Sequence, residues 1–130
     1  AGSAGLAELV ATSNALGLPV RLRVDDEVLA SLPPAVAAST HRIVQESLTN
    51  ARRHGHDVTA VDVVVDRVDG ALQIVVHDDG RPTTRGRGEI GYGLVGMAER
   101  SAALGGTFTA GRDERGGWTV VATIPVEATG

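Results

Sequence analysis

Residues 58–77, VTAVDVVVDRVDGALQIVVH, form two valine-rich runs on either side of Asp69-Gly70. Branching at Cβ favours extended backbone, and Asp-Gly tolerates the left-handed conformations that a two-residue hairpin turn requires. The stretch therefore predicts an antiparallel pair of strands, 58–68 and 71–77. Such a hairpin is marginal on its own, so the rest of the chain must add strands and a covering layer. At 130 residues it is long enough for one domain with its own core.

The remaining segments supply both. Leu6, Leu9, Val10 and Leu16 have helical spacing, and Gly17 with Pro19 stops that helix. Residues 19–24, PVRLRV, alternate as a half-buried strand does. Residues 25–32 read as a connection. Pro33-Pro34 opens a long helix, since proline is tolerated in a first turn, and Gly55 closes it. Residues 81–92 hold several glycines and three arginines without any apolar period, which reads as a mobile loop. A helix over 93–104 ends at Gly105-Gly106, and strands 107–112 and 118–126 flank a turn at 113–117. This order predicts an α+β fold: a two-layer α/β sandwich with a mixed, mostly antiparallel sheet and helices on one face. The expected boundaries are a linker at 1–5, one domain over 6–126 and a tail at 127–130.

Aliphatic side chains must build the core, because aromatics are only 2% of residues; Phe108 and Trp118 are rare enough to locate individually. Without cysteine, neither disulfides nor a thiolate zinc site can hold the fold. A net charge of −4 argues against a general nucleic-acid binder. No apolar run approaches the roughly 20 residues that span a bilayer and no signal peptide is evident, so the chain reads as soluble and cytoplasmic.

Three stretches carry more polar chemistry than a fold needs. On the helix THRIVQESLTNARRHG, Val36, Ile43, Val44, Ser47, Leu48 and Ala51 share one stripe at roughly 100° per residue. Glu46, Asn50 and Arg53 lie on an adjoining arc, Glu46 and Asn50 one turn apart. An acid, an amide and a cation beside buried surface can line a cleft. His77-Asp78-Asp79-Gly80 ends a strand where a loop begins, and an ionised Asp there can accept from a ligand amino group; Asp-Gly is also an ordinary turn dipeptide. Residues 91–96, GYGLVG, match GxGxxG, yet neither a buried strand before them nor a βαβ unit after them is readable, which rejects a dinucleotide fold. What survives is close backbone approach at glycine and free N–H groups at a helix start.

In this order and spacing, the three stretches resemble the N-box (HRIVQESLTNARRHG), G1-box (VVHDDG) and G2-box (GYGLVGMAERSAALGG) of the histidine kinase, gyrase, chaperone and MutL ATPases. The GxGLxGMxER wording is particularly similar to sensor kinases that feed LuxR-type response regulators. The resemblance implies the Bergerat fold, and ATP and Mg²⁺ as ligands. It implies that Asn50 ligates Mg²⁺, that Glu46 orients or activates the attacking group, and that Arg53 and His54 face the phosphates and ribose. Asp78 would accept from the adenine amino group, with Gly80 letting the base lie against the backbone. Gly91, Gly93 and Gly96 would be the G2 glycines, Leu94 would start the helix facing phosphate, and Thr119 would help to bind adenine. Residues 81–92 would form the ATP lid, with Arg85 or Arg87 as further cations.

Two positions depart from the pattern. Pro82 stands where G1 has its second glycine, and Trp118 stands where a glycine or small polar residue is usual. Trp118 is read as a cap on the sheet edge, with packing under the base as the alternative. The four histidines, His41, His54, His56 and His77, are poor phosphoacceptors, so the γ-phosphoryl group is expected to pass to a His on a separate dimerisation domain. This fragment would then be monomeric. An anti-sigma-factor serine kinase, a degenerate nucleotide-sensing module and a plain interaction domain are the competing readings.

Overall fold

The computed structural model describes residues 2–82, 87–114 and 116–126, without the side chains of residues 2–4, 54–56, 82 and 87–92. Its elements are α1 (Gly2–Ala15), β1 (Val20–Val24), α2 (Asp26–Ala30), α3 (Pro34–His54), β2 (Gly55–His56), β3 (Val61–Val68), β4 (Ala71–Asp78), β5 (Arg81–Pro82), α4 (Arg87–Ala103), β6 (Thr107–Arg112) and β7 (Trp118–Pro125). Five strands form one sheet in the order β1-β3-β4-β7-β6. Only the β1–β3 pair is parallel; β3–β4, β4–β7 and β6–β7 are antiparallel. The expected mixed, mostly antiparallel sheet with helices is what the chain forms.

The hairpin turns as its dipeptide requires: Asp69 has φ 50° and Gly70 φ 77°, both left-handed. Period two then sorts the sheet. Val61, Val63, Val65, Leu72, Ile74, Val76, Val120, Ala122 and Ile124 are all buried, while Asp62, Gln73, His77, Thr119 and Thr123 alternate with them and keep partial exposure. From α3 the stripe Val36, Ile43, Val44, Leu48 and Ala51 completes the same core, joined by Leu6 of α1 and Met97 of α4. Each valine, leucine, isoleucine or methionine among them contributes about 1.5–3 kcal/mol when fully buried. Phe108 and Trp118 only pack at its margin.

β3 begins at Val61 rather than at residue 58, and three larger differences from the sequence reading follow. Residues 2–5 belong to α1 rather than standing apart as a linker; a methyl on Gly5 would lie 3.2 Å from His41 Cδ2, so the two helices meet closely there. Within the stretch read as a connection, Asp25 caps the short α2 by accepting from the Glu27 amide at 2.9 Å. The largest difference is α4, which begins at Arg87 instead of residue 93. Extending an existing helix adds a hydrogen bond per residue without the cost of nucleation, and this carries α4 back through glycines that propensity alone would exclude. The loop read over 81–92 thus contains the start of α4 and strand β5, which pairs with β2 just after α3; residues 83–86, with Arg85, lie outside the described residues.

Candidate functional site

One part of the site lies where α3 packs against α4. On α3, Ser47 is buried and donates to the Ile43 carbonyl at 2.7 Å, and its Oγ lies 3.4 Å from Met97 Sδ of α4. The two helices meet at this contact. One turn further along α3 and one turn back along α4, it sets Asn50 beneath Gly93. A methyl on Gly93 would come within 3.1 Å of Asn50 Nδ2, 3.3 Å of Asn50 Oδ1 and 3.4 Å of Glu46 Oε2. Glycine is thus what lets α4 lie over the Glu46–Asn50 pair. Asn50 is 9% exposed, and its Nδ2 is buried with no hydrogen-bond partner among the described residues. A buried unpaired amide donor costs about 1–3 kcal/mol, a cost usually tolerated where a ligand supplies the partner.

Asp78 terminates β4 on the helix-covered face, 5% exposed. Its Oδ1 accepts from the Gly80 amide at 2.9 Å, and no partner for Oδ2 occurs among the described residues. Burial pushes its carboxyl above the ordinary value, while the Gly80 hydrogen bond and the charges of His77 and Arg112 pull the other way. A desolvated carboxylate with one oxygen free is suited to read a donor on a ligand.

Asp79, treated with Asp78 as one stretch in the sequence, has a different task. It accepts from the amides of Thr59 at 2.8 Å and Ala60 at 3.1 Å, and from the Thr59 hydroxyl. The Thr59 hydroxyl above all, then these amides, hold its carboxyl below the ordinary value. It staples the start of β3 to the end of β4.

Several expected site residues are not brought together. Thr119 lies opposite His77 in the β4–β7 register, one step from the Asp78–Trp118 pair. Its side chain is therefore on the other face of the sheet from Asp78, where its hydroxyl meets His77 Nδ1 at 3.0 Å. Asp113 Oδ2 approaches the same nitrogen at 3.1 Å. The expectation that Thr119 sits with Asp78 at adenine is corrected on this geometry: strand parity decides the face, and Thr119 has the wrong parity. Leu94 does not start α4 either. In a helix beginning at Arg87 the free amides are those of 87–90, whereas those of Gly91, Gly93 and Leu94 fall inside the helix. Gly96 packs against its own helix's Arg100, with a methyl there 3.0 Å from Nη1. Arg53 is exposed; the side chain of His54 and the surroundings of Gly91 lie outside the described residues. Sequence reasoning missed Gly117, where a methyl would sit 2.5 Å from the Asp78 carbonyl oxygen; the Gly116-Gly117 doublet was its signal.

The rejection of a dinucleotide fold agrees with the topology, since the one parallel pair, β1 with β3, lies at the sheet edge far in sequence from residues 91–96. None of the helices is long and apolar enough to cross a membrane among the described residues.

Residues 35–128 match the family model of histidine kinase-, DNA gyrase B-, and HSP90-like ATPases. The chain is 34% identical to the sensor histidine kinase YxjM of Bacillus subtilis, over 87% of its own length and 27% of that protein. It is 37% identical to the methanol utilization control sensor protein MoxY of Paracoccus denitrificans, over 82% of its length and 26% of that protein. The chain therefore spans about a quarter of the length of these relatives. In fold it is similar to the blue-light activated histidine kinase of Erythrobacter litoralis, with a TM-score of 0.75 at 23% identity, covering 95% of this chain and 41% of that one. These matches bear out the reading from the three boxes, that of an ATP-binding domain from a sensor histidine kinase. The chain belongs to the histidine kinase-, DNA gyrase B-, and HSP90-like ATPases.

Proposed function

We propose that this domain binds Mg²⁺-ATP between α3, α4 and the end of β4, and hands the γ-phosphoryl group to a histidine on a separate domain of its parent kinase. The observation that carries the reading is the buried, unpartnered carboxamide of Asn50 beside Glu46. Asn50 can turn either its oxygen or its amino group toward that spot. An amide and a carboxylate are hard donors of the kind Mg²⁺ takes in ones and twos, the rest coming from phosphate and water, so the residues fit the ion. Bound there, Mg²⁺ would neutralise charge on the phosphates.

Each residue then has a task. Asp78 Oδ2 accepts from the base amino group, and the Gly80 amide holds that carboxylate in place. Glu46 orients the incoming imidazole and accepts its ring proton, as the phosphorus–nitrogen bond forms and the bond to the β-phosphate oxygen breaks. Arg53 supplies positive charge from the end of α3. The domain unit runs over 6–126 together with the first turn of α1, works on the cytoplasmic side, and serves a parent whose regulator is of the LuxR type, on the GYGLVGMAER wording.

Calorimetric titration with ATP tests this, in Mg²⁺ and then in EDTA. Binding is expected to weaken without Mg²⁺, and Asn50→Ala is expected to lose about tenfold or more in Mg²⁺-ATP affinity. Removing the unpaired buried donor relieves a cost that offsets the packing lost with the side chain, so that variant should fold with near-unchanged stability. Binding indifferent to both Mg²⁺ and Asn50 would overturn the assignment.

A further inference from the structure

Trp118 is the only tryptophan of the chain, and the register sets it directly opposite Asp78 of β4 on one side and Arg112 of β6 on the other. Opposed residues of antiparallel strands project to the same face, with Cβ atoms about 5 Å apart. Trp118 therefore shares the helix-covered face with Asp78, where its ring is half-buried against the core margin. It is not at a sheet edge, because β7 lies between β4 and β6. The Arg112 guanidinium stands over the ring, 5.7 Å from its centroid, and is itself held by donating to the Gly116 carbonyl at 2.8 Å. Gly117, just before it, has its Cα pressed against β4: a methyl there would be 2.5 Å from the Asp78 carbonyl oxygen and 2.9 Å from His77 Cε1. Register, cation and close approach together hold a broad flat ring beside a buried carboxylate whose Oδ2 has no partner among the described residues.

We propose that Trp118 forms a wall of the base end of the nucleotide pocket and makes this site select a purine nucleotide over a bare polyphosphate. The inference rests on the nucleotide reading above. A base amino group accepted by Asp78 Oδ2 brings an aromatic ring within reach of a cross-strand neighbour this large, and covers apolar surface that Trp118 otherwise leaves half-exposed. Contact between a base and an aromatic side chain is favourable for any flat base. Asp78 then supplies the discrimination by hydrogen bond and Trp118 the surface, while Asn50 and Glu46 attend to the phosphates.

As the sole tryptophan, Trp118 reports on itself. Its emission is followed while the chain is titrated with Mg²⁺-ATP and, separately, with Mg²⁺-tripolyphosphate, and both ligands are also titrated calorimetrically into wild type, W118F and W118A. ATP is expected to change the emission and tripolyphosphate to leave it unmoved. W118A is expected to lose about tenfold or more in ATP affinity with tripolyphosphate affinity unchanged, and W118F to keep most of it. Should W118A fail to fold, wild-type emission and W118F carry the decision. ATP heat with unmoved Trp118 emission, and equal ATP affinity across the variants, would overturn the role of Trp118 alone. No ATP heat in the folded wild type would remove the nucleotide reading and this inference with it.

Discussion

At the end of β4 two successive carboxylates sit in opposite surroundings: Asp78 points into the helix-covered layer, and Asp79 points outward to the start of β3. Asp79 is exposed, receives two amides and a hydroxyl, and is held below the ordinary carboxylate value, chiefly by the Thr59 hydroxyl. Asp78 is buried, receives a single amide, and is pushed up by desolvation. Asp78 is the last residue of β4 and Asp79 the first beyond it, where the chain meets the start of β3. A carboxylate whose lone pairs are filled by its own fold is structural. One that is buried at a cost and left with an open oxygen is placed for something that arrives later.

The sharpest way to break this comparison is Asp78→Asn. The amide oxygen can still accept from Gly80, but the charged acceptor is gone. ATP affinity is expected to fall about tenfold to a hundredfold by calorimetry, while urea unfolding at pH 7 shows equal or greater stability. The sign follows from linkage. A folded-state value raised above 3.8 means that ionising Asp78 costs the folded state. That cost is absent below the unfolded value and grows as the pH rises through the folded one. Any stability gain of the variant should therefore vanish in acid. Wild-type ATP affinity should likewise decline on acidification at a higher pH than an ordinary carboxylate would give.

Asp79→Ala is the mirror experiment. Its folded value lies below 3.8, so its stabilisation is present above the unfolded value and is lost as pH falls through the folded one. A loss of about 1 kcal/mol in urea unfolding at neutral pH is expected, modest because the group is exposed, with ATP affinity unchanged. A smaller effect is expected of Gly93→Ala. Alanine favours a helix interior by about 1 kcal/mol, but its methyl would press on Asn50 and Glu46. Stability should hold nearly constant in thermal unfolding while Mg²⁺-ATP affinity drops a few-fold.

The parts of the molecule legible in the sequence are those where local chemistry and tertiary placement agree. Asp69-Gly70 dictated its turn, the stripe from Val36 to Ala51 dictated the buried side of α3, and valine alternation dictated β3 and β4. Glu46 and Asn50 were visible as a pair because helical spacing alone puts them on one arc. What was hidden depends on long-range contact. α4 starts at Arg87, before the glycines of 91–96, which no local glycine count reveals. The β2–β5 ribbon joins segments some 25 residues apart in sequence. Thr119 and Trp118 were separable only by register: a shift of one residue exchanges the faces, and the sequence does not state which of the two opposes Asp78.

The central claim is that ligand binding uses the helix-covered face at the end of β4 and leaves the open face alone. A map of backbone amide and indole shifts on adding Mg²⁺-ATP to the isotope-labelled chain tests it most directly. The largest changes are expected at Glu46 to Asn50, Asp78 to Gly80, Gly93 and the Trp118 indole, with Arg21, Asp62 and Thr123 on the open face nearly still. Shifts concentrated at Arg21, Asp62 and Thr123, with Asn50 and Asp78 unmoved, would contradict it.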